Sequence, residues 1–498
     1  MADAKTQNQT PAVEQKFATD SGLLDKIVDG SQAWHTDAER SEGKAWVDTF
    51  VQLAEKKLLK RSRNTEATIA DAIADLDKRI SAQLNEIMHH EKFQKLEASW
   101  RGLHYLVNQT ETSTMLKIKV FNLSQQELRG DLENAVEFDQ STIFKKVYEE
   151  EYGQLGGQPY GLLVGDYEFG RSPEDVSVLS KMSGIAAAAH APFLASTTSS
   201  MFGMSSFTDL GAHRDLAKIF DSDLYIKWRS FRESPDSRYV GLAMPHMLLR
   251  DPYGEGSKTI EGFNYEEKVD GKDHSKYLWG NAAYALATRI TDAFAKYEWC
   301  AAIRGVQGGG TVENLPAHTF QTDEGDTTVK CPTEVAITDR REAELSKLGF
   351  IPLCHHKGSD KAVFFGTQSC QKPKKYQEKD VDANANASLS ARLQYILAIS
   401  RFAHFLKVMM RDKVGSFVSQ SSLQMELNSW IANYVLLDDN ASQEAKASHP
   451  LREARIDVRE VAGQPGSYEA VAFLRPHYQL EELTIALSLV AKIPPPPK

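Results

Sequence analysis

Apolar residues recur every three or four positions between residues 69 and 87, and charged residues fill most of the positions between them. This spacing predicts a long amphipathic helix. Such a stripe packs on the chain's own body or on a helix of a partner subunit, and the spacing alone leaves both alternatives open. The stripe consists of Ile69, Ile73, Leu76, Ile80, Leu84 and Ile87.

Beyond Glu97, short apolar runs typical of strands alternate with helical patterns, which predicts an α+β (mixed α/β) body of several domains. The Gly-, Asp- and Lys-rich stretch 250–276 predicts a surface loop. The predicted strands are 115–121, 160–165, 192–197, 239–243, 331–338, 350–354 and 362–366. The predicted helices are 123–136, 141–152, 173–190, 277–299, 387–411 and 422–437.

The C-terminal pattern predicts a strand, a turn, a second strand and a final helix. Charged residues alternate with Ile456 and Val458, as in a strand with one solvated face, and a turn follows at 463–466. The return strand, 467–474, has apolar residues on both faces, so we expect both faces to be buried. Two strands are marginal alone, and this one needs a further neighbour from this chain or another.

Composition adds that the protein is globular. The chain has 498 residues, 41% hydrophobic and 25% charged, which is typical of about two to four domains with real cores. Its net charge of -10 argues against a general nucleic-acid binder. Four cysteines without a CxxC pair favour the cytoplasm, and we find no pattern of a signal peptide or a membrane span.

Four short segments invite a chemical interpretation, and each has a structural one. The glycines at 308–310 resemble a phosphate-binding loop but lack the GxxxxGK[ST] frame. Cys354-His355-His356 and His89-His90-Glu91 place their histidines as neighbours, which is unsuited to binding a single metal ion. The acidic group Asp166, Glu168, Glu174 and Asp175 is typical of turns and helix starts. We therefore predict no catalytic, cofactor-binding or metal-binding residues.

The run EASWRGLHYLV at 97–107 resembles the large subunit of the type VI secretion contractile sheath, the VipB/TssC family, which is related to contractile phage-tail sheaths. The likeness extends from about residue 60 to the end of the chain. Further family motifs follow in order: GDYEF (165–169), APF (191–193), RDPYG (250–254), WGNAAY (279–284), RGVQGGG (304–310), GFIPL (349–353), SRFAH (400–404) and PH (476–477).

The resemblance implies a non-enzymatic building block. Such a subunit forms an obligate heterodimer with a small sheath subunit and polymerises with copies of itself into a helical tube around inner-tube hexamers. A baseplate anchors the assembly, contraction propels effectors into target cells, and an AAA+ ATPase dismantles the contracted form, mainly through the small subunit. No cofactor, nucleic acid or membrane insertion is implied.

Pattern and resemblance together predict four regions. These are a mobile tail with a first helix (1–60), a helical region that docks the small subunit (61–110), an α/β sheath body (111–380), and C-terminal helices with a hairpin arm and a final helix of the inner sheath domain (381–498).

Three assignments follow from the resemblance. The stripe from Ile69 to Ile87 would dock the small subunit. An inter-subunit sheet would contain Ile456, Val458, Tyr468, Val471, Phe473 and Leu474. The final helix would be buried in the inner domain, and alternatively its polar strip of Thr484, Ser488 and Lys492 would also face the inner tube. Two competing functions remain: an α/β enzyme that binds a phosphate-bearing ligand at 304–310, and an adaptor that stays a discrete complex.

Overall fold

The computed structural model of the protein describes residues 36–55, 65–212, 215–254, 263, 265–377, 380–464 and 467–479. The predicted final helix, with Thr484, Ser488 and Lys492, lies outside the described residues. Two compact units make up the chain: the smaller comprises Met1–Glu86 and Tyr253–Glu267, and the larger comprises Ile87–Pro252 and Lys268–Lys498.

Helices and strands are mixed along the described chain, so the predicted α+β class is confirmed. The helices are α1 (Asp37–Glu55), α2 (Thr65–Met88), α3 (Glu91–Asn108), α4 (Gln125–Asn134), α5 (Thr142–Phe144, continued by the π-helical Lys145–Gly153), α6 (Pro173–Ala189), α7 (Ala217–Phe220), α8 (Ile226–Glu233), α9 (Ala282–Tyr297), α10 (Asp339–Lys347), α11 (Val381–Leu389), α12 (Leu393–Asp412), α13 (Gln420–Ala432) and α14 (Gln443–Ser448). Short 3₁₀ turns occupy Phe138–Gln140, Ser199–Phe202, Phe207–Gly211, Asp223–Tyr225, Asp236–Tyr239 and His274–Lys276.

The strands are β1 (Leu163–Phe169), β2 (Phe193–Thr197), β3 (Val240–Met244), β4 (Met247–Leu248), β5 (Trp279–Gly280), β6 (Thr311–Val312), β7 (Thr319–Gln321), β8 (Thr327–Val329), β9 (Ile351–His355), β10 (Ala362–Phe364), β11 (Leu451–Glu460) and β12 (Tyr468–Pro476). A six-stranded sheet in the order β1-β2-β3-β9-β10-β6 forms the centre of the larger unit. Its first four strands run parallel, and β10 is antiparallel to both of its neighbours.

Both faces of the central sheet are covered, because side chains along each strand alternate between two cores. On one face, Phe193 and Leu242 pack with Leu179 of α6 in a large cluster. On the other face, Leu194 packs with Leu286 of α9 in a second cluster. A third cluster holds α12, α13 and the hairpin of β11 and β12 together around Trp299 and Phe402.

Three predicted elements are wrong, and each fails for a tertiary reason. Residues 331–338 form no strand, because only Thr333 is bridged to another segment, at Met247. Residues 115–121 lie outside any sheet, because no strand of the described chain runs beside them. The predicted helix 387–411 is broken between α11 and α12, because backbone bonds from Ser369 to Ala391 (2.9 Å) and from Leu393 to Thr367 (2.9 Å) draw the chain away from helical geometry. Local propensity yields to such contacts.

Candidate assembly surfaces

The apolar stripe of α2 faces outward. Ile73 and Leu76 are each 53% exposed, and Ile69, Ile80 and Ile87 are exposed as well, while Leu84 is half-buried. The helix instead buries Ala72, Ser81 and Asn85. The hydroxyl of Tyr265 donates to Asn85 Oδ1 at 3.2 Å, which ties this polar side to the segment around residue 265. The apolar side of α2 is therefore exposed in the described chain.

The hairpin has one face in the core and one in solvent. Ile456 and Val458 of β11 are fully buried, and Tyr468 and Leu474 of β12 pack against the same cluster. The prediction that the return strand is buried on both faces is wrong, because Phe473 is 48% exposed and lies under the guanidinium of Arg455. The outer face, with Phe473 and Val471, has no second layer in the described chain.

Side-chain amides of α13 occupy the outer edge of β11. Asn428 accepts from the N–H of Ile456 at 2.9 Å and donates to its carbonyl at 2.7 Å. Gln424 accepts from the N–H of Val458 at 3.1 Å, and Gln420 donates to the Val458 carbonyl at 2.6 Å. These amides replace the neighbouring strand, so this edge of the hairpin is closed.

The outer edge of β12 is open. Because Ile456 and Val458 turn their backbone groups to α13, the residues between them face β12, where Asp457 lies opposite Val471. The backbone groups of Ala470, Ala472 and Leu474 therefore point away from β11. Within the described residues, β11 and β12 form a sheet of two strands only, so this edge offers unpaired donors and acceptors.

Replacing Asn428 by alanine removes both hydrogen bonds to Ile456. We expect the free energy of unfolding to fall by about 2 kcal/mol, because a buried backbone donor and acceptor lose their partners. Urea denaturation followed by circular dichroism measures the change. Asn433→Ala is the matched control, because its side chain is exposed at the end of α13 and the change should cost less than about 0.5 kcal/mol. Equal effects of the two substitutions would contradict this role of Asn428.

The glycine-rich loop 304–310 is bonded to its own surroundings. Gly305 donates to the Phe364 carbonyl at 2.7 Å, and Gly310 donates to the Gly305 carbonyl at 2.9 Å. A Cβ on Gly308 would lie 2.3 Å from the Arg304 carbonyl oxygen, so the glycine is required by close packing. The loop thus has a structural role that needs no ligand.

The other chemical candidates also have structural roles. His90 is the N-cap of α3, where its ring nitrogen accepts from Lys92 N. Burial raises the pKa of the Cys354 thiol to about 12, which opposes the thiolate that a metal ligand needs. Asp175 pairs with Arg129 at 2.9 Å. Among the described residues, no group of three or more His, Cys, Asp and Glu is placed to hold a metal ion.

Sequence reasoning missed a charged histidine at the end of the parallel strands. His246 donates from Nε2 to Glu168 at 2.9 Å and from Nδ1 to Glu334 at 2.7 Å. Burial alone would lower the pKa of His246, but hydrogen bonds and charges of the two carboxylates raise it to about 10. The imidazolium therefore joins β1, the turn after β3 and the segment before α10. These residues are too far apart in sequence to form a motif.

Replacing His246 by glutamine should cost about 2 kcal/mol of unfolding free energy at pH 6, because two carboxylates, of which Glu168 is 44% exposed, lose a partly buried cation. Since the folded pKa of about 10 exceeds the ordinary 6.5, this contribution is complete below pH 6.5 and is lost as pH rises through 10. Urea titrations at pH 6, 8 and 10 should show the gap between wild type and variant closing. The exposed His104→Gln serves as control, and a gap independent of pH would contradict the assignment.

Residues 70–371 match the family model described as "EvpB/VC_A0108, tail sheath N-terminal domain", and residues 382–493 match "EvpB/VC_A0108, tail sheath gpW/gp25-like domain". The chain belongs to the EvpB/VC_A0108 tail sheath family. The resemblance found in the sequence is confirmed, and this is a family of structural sheath proteins.

This tail sheath chain is also similar to individual proteins. It is 52% identical over 462 residues to the type VI secretion system sheath protein TssC1 of Pseudomonas aeruginosa (strain PAO1), and the match covers 92% of each chain. Two cryo-EM structures of the anti-feeding prophage, its baseplate and its contracted helical sheath, match at 10% identity with TM-scores of 0.37 and 0.28. The matches cover 64% and 63% of this chain and 66%, just under two thirds, of each matched chain. The family membership does not rest on these two structures.

Proposed function

We propose that this sheath protein is the large structural subunit of a type VI secretion contractile sheath. It pairs with a small sheath subunit and polymerises into a helical tube around inner-tube hexamers, anchored at a baseplate in the cytoplasm. The observation that carries this function is the tail sheath match over residues 70–371 and 382–493. No helix among the described residues is long and apolar enough to cross a membrane.

The stripe of α2 docks the small subunit. The helix buries Ser81 and Asn85 and exposes Ile73 and Leu76, so its apolar side is available to a partner chain and does not pack in the core of its own chain. An apolar stripe at helical spacing fits a groove or a helix on the other chain. Heterodimer formation would bury this surface, which explains why the sheath subunit is not expected to function alone.

The open edge of β12 receives a strand from a neighbouring subunit. Ala470, Ala472 and Leu474 supply the unpaired backbone groups. The side-chain amides of α13 occupy the edge of β11, so the incoming strand cannot pair there. Strand addition gives several directional bonds on a flexible connection, so subunits can rotate during contraction without separating. The strip of Thr484, Ser488 and Lys492 is proposed to face the inner tube, which is the alternative that the resemblance leaves open for the final helix.

Contraction that propels effectors requires energy stored in the assembled lattice and a bistable interface between subunits, not a catalytic site. The structural roles of the 304–310 loop and of the charged clusters agree with this requirement. Disassembly of the contracted sheath is assigned to an AAA+ ATPase that acts mainly on the small subunit.

Co-expression with the small-subunit gene, followed by negative-stain electron microscopy, tests the function. Long hollow tubes are the expected result. Discrete complexes of fixed size would instead indicate an adaptor. Absence of any complex, together with a phosphate-ligand-induced rise in melting temperature, would indicate an enzyme and overturn the proposal.

A further inference from the structure

A cavity of about 1050 Å³ lies along the outer edge of β1 in the larger unit. Strand β1 forms one wall from Val164 to Tyr167, and residues 114–125 form the wall opposite. Side chains of α3, α9 and α12 line the remaining sides. The space is at the upper end of the volumes found for binding sites in proteins, roughly 300 to 1000 Å³.

The wall formed by β1 is an unpaired sheet edge. The N–H of Leu163 donates to the Pro192 carbonyl at 2.9 Å, so Leu163 faces β2 and the backbone groups of the next residue, Val164, face the cavity. In the described chain, β1 pairs with β2 alone, and no backbone bond joins it to 114–125. Val164 therefore offers a donor and an acceptor to an incoming backbone.

The opposite wall is held by side chains, and the backbone of residues 117–122 forms no hydrogen bond among the described residues. Residues 116–124 have no helical or turn structure. The Tyr167 hydroxyl donates to the Leu123 carbonyl at 2.7 Å, Lys117 donates to Gln158 at 3.1 Å, and Lys119 pairs with Glu151. These side chains hold residues 116–124, whose sequence pattern is typical of a strand, beside the cavity. A strand inserted between β1 and this run would form backbone hydrogen bonds with both.

The lining specifies the chemistry of the occupant. Part of the lining is apolar, with Leu103, Ile290 and Leu397 among its residues. Two polar atoms of the lining residues, His404 Nδ1 and Arg401 Nε, are buried without a hydrogen-bond partner among the described residues, and His404 is only 3% exposed. Unsatisfied buried groups of this kind are costly. His404 Nε2 donates to the Ala189 carbonyl at 2.9 Å, so its Nδ1 is an acceptor, whereas Arg401 Nε is a donor. The fitting ligand is an apolar strand whose backbone brings an N–H to His404 and a carbonyl to Arg401.

Exposed apolar side chains continue from the cavity onto the outer surface. They include Trp100 (65% exposed), Val120 (68%) and Phe121 (59%), all of which line the space. A single inserted segment would leave most of this rim in water. A partner with a folded body would cover the rim as well, and this favours another chain over the chain's own terminus.

We propose that an extended strand of the small sheath subunit fills this cavity and completes a continuous sheet between β1 and residues 116–122. This inference rests on the proposed function, because it names a second docking site for the same partner. The site is distinct from the α2 stripe, since no residue of the stripe lines the cavity.

Hydrogen–deuterium exchange on the purified complex and on the chain alone tests the site directly. Peptides covering Val164 and residues 116–122 should exchange at least about tenfold more slowly in the complex, because two backbone edges gain partners. A complex that forms without protection of either edge would overturn the inference and leave the proposed function intact. Failure to form any complex would overturn both. Protection in the chain alone that disappears when residues 480–498 are removed would assign the space to the chain's own end and also overturn the inference.

A cavity-filling variant provides the second measurement. Gly161 lines the space, and a Cβ at this position meets no atom within 4 Å, so Gly161→Trp should fold normally and obstruct the strand. Gly211→Trp is the matched control, because Gly211 is equally open but lies outside the cavity. With both variants folded by circular dichroism, we expect at least a tenfold loss of co-purified small subunit for Gly161→Trp alone. Equal recovery with both variants would overturn the inference.

Discussion

Replacing Ala472 by proline is expected to abolish long sheath tubes while leaving a folded chain that still binds the small subunit. The N–H of Ala472 points away from β11, so proline removes a donor only from the open edge of β12. Each lost interface bond weakens a contact that recurs at every subunit of the polymer. We expect sedimentable polymer to fall by more than about tenfold, measured by ultracentrifugation and electron microscopy, because about 1.4 kcal/mol per contact is a tenfold change in binding.

Two further substitutions control for that experiment. Ala472→Ser keeps the N–H and should form normal tubes. Val471→Pro removes a donor that faces β11, so it should destabilise the hairpin itself and lower the melting temperature of the isolated chain. Normal tubes from Ala472→Pro would contradict strand addition at this edge, whereas a lowered melting temperature for Ala472→Pro would show that the hairpin was damaged instead.

Introducing aspartate at both Leu76 and Ile80 is expected to abolish co-purification with the small subunit. Both side chains are about half exposed in the chain alone, so the change should have little effect on folding. In the complex, two carboxylates would be buried against an apolar surface, at a cost of several kcal/mol. A pull-down with a tag on the small subunit measures the loss, which we expect to exceed a hundredfold.

The matched control introduces the same charges on other sides of the same helix. Ala74→Asp with Ala82→Asp places two carboxylates on exposed positions outside the stripe, so net charge changes equally and the loss of helix propensity is at least as large. This variant should retain the partner. If both double variants bind normally, the stripe of α2 is not the docking surface, although the strand interfaces would be unaffected by that result.

Hydrophobic periodicity predicted the helix and strands of these surfaces better than it predicted which of their faces are buried. The spacing of Ile69 to Ile87 predicted α2 correctly, but it did not show that Ser81 and Asn85 would be the buried side. The alternation around Ile456 predicted one solvated face of β11, and this is confirmed. On β12, apolar residues on both faces predicted burial, yet Phe473 is exposed, because an apolar face is equally suited to a partner that the chain alone does not contain.

Features that depend on tertiary contacts were beyond the sequence. Residues 115–121 have the composition of a strand, but a ladder requires a neighbour, and the described chain has none there. The ion cluster of Glu168, His246 and Glu334 joins residues distant in sequence. One missed feature did leave a signal: Gln420, Gln424 and Asn428 are spaced four apart, which places three amides on one side of a helix next to a strand.

The closed edge of β11 also limits how copies of the free chain can associate incorrectly. A two-stranded ribbon with both edges open would let one ribbon add to the next without end, as in a cross-β fibre. Because α13 covers the β11 edge, two hairpins can pair only through their β12 edges. Such a pair has no open edge left for a third hairpin. The amide side chains of Gln420, Gln424 and Asn428 thus protect unassembled subunits against open-ended aggregation.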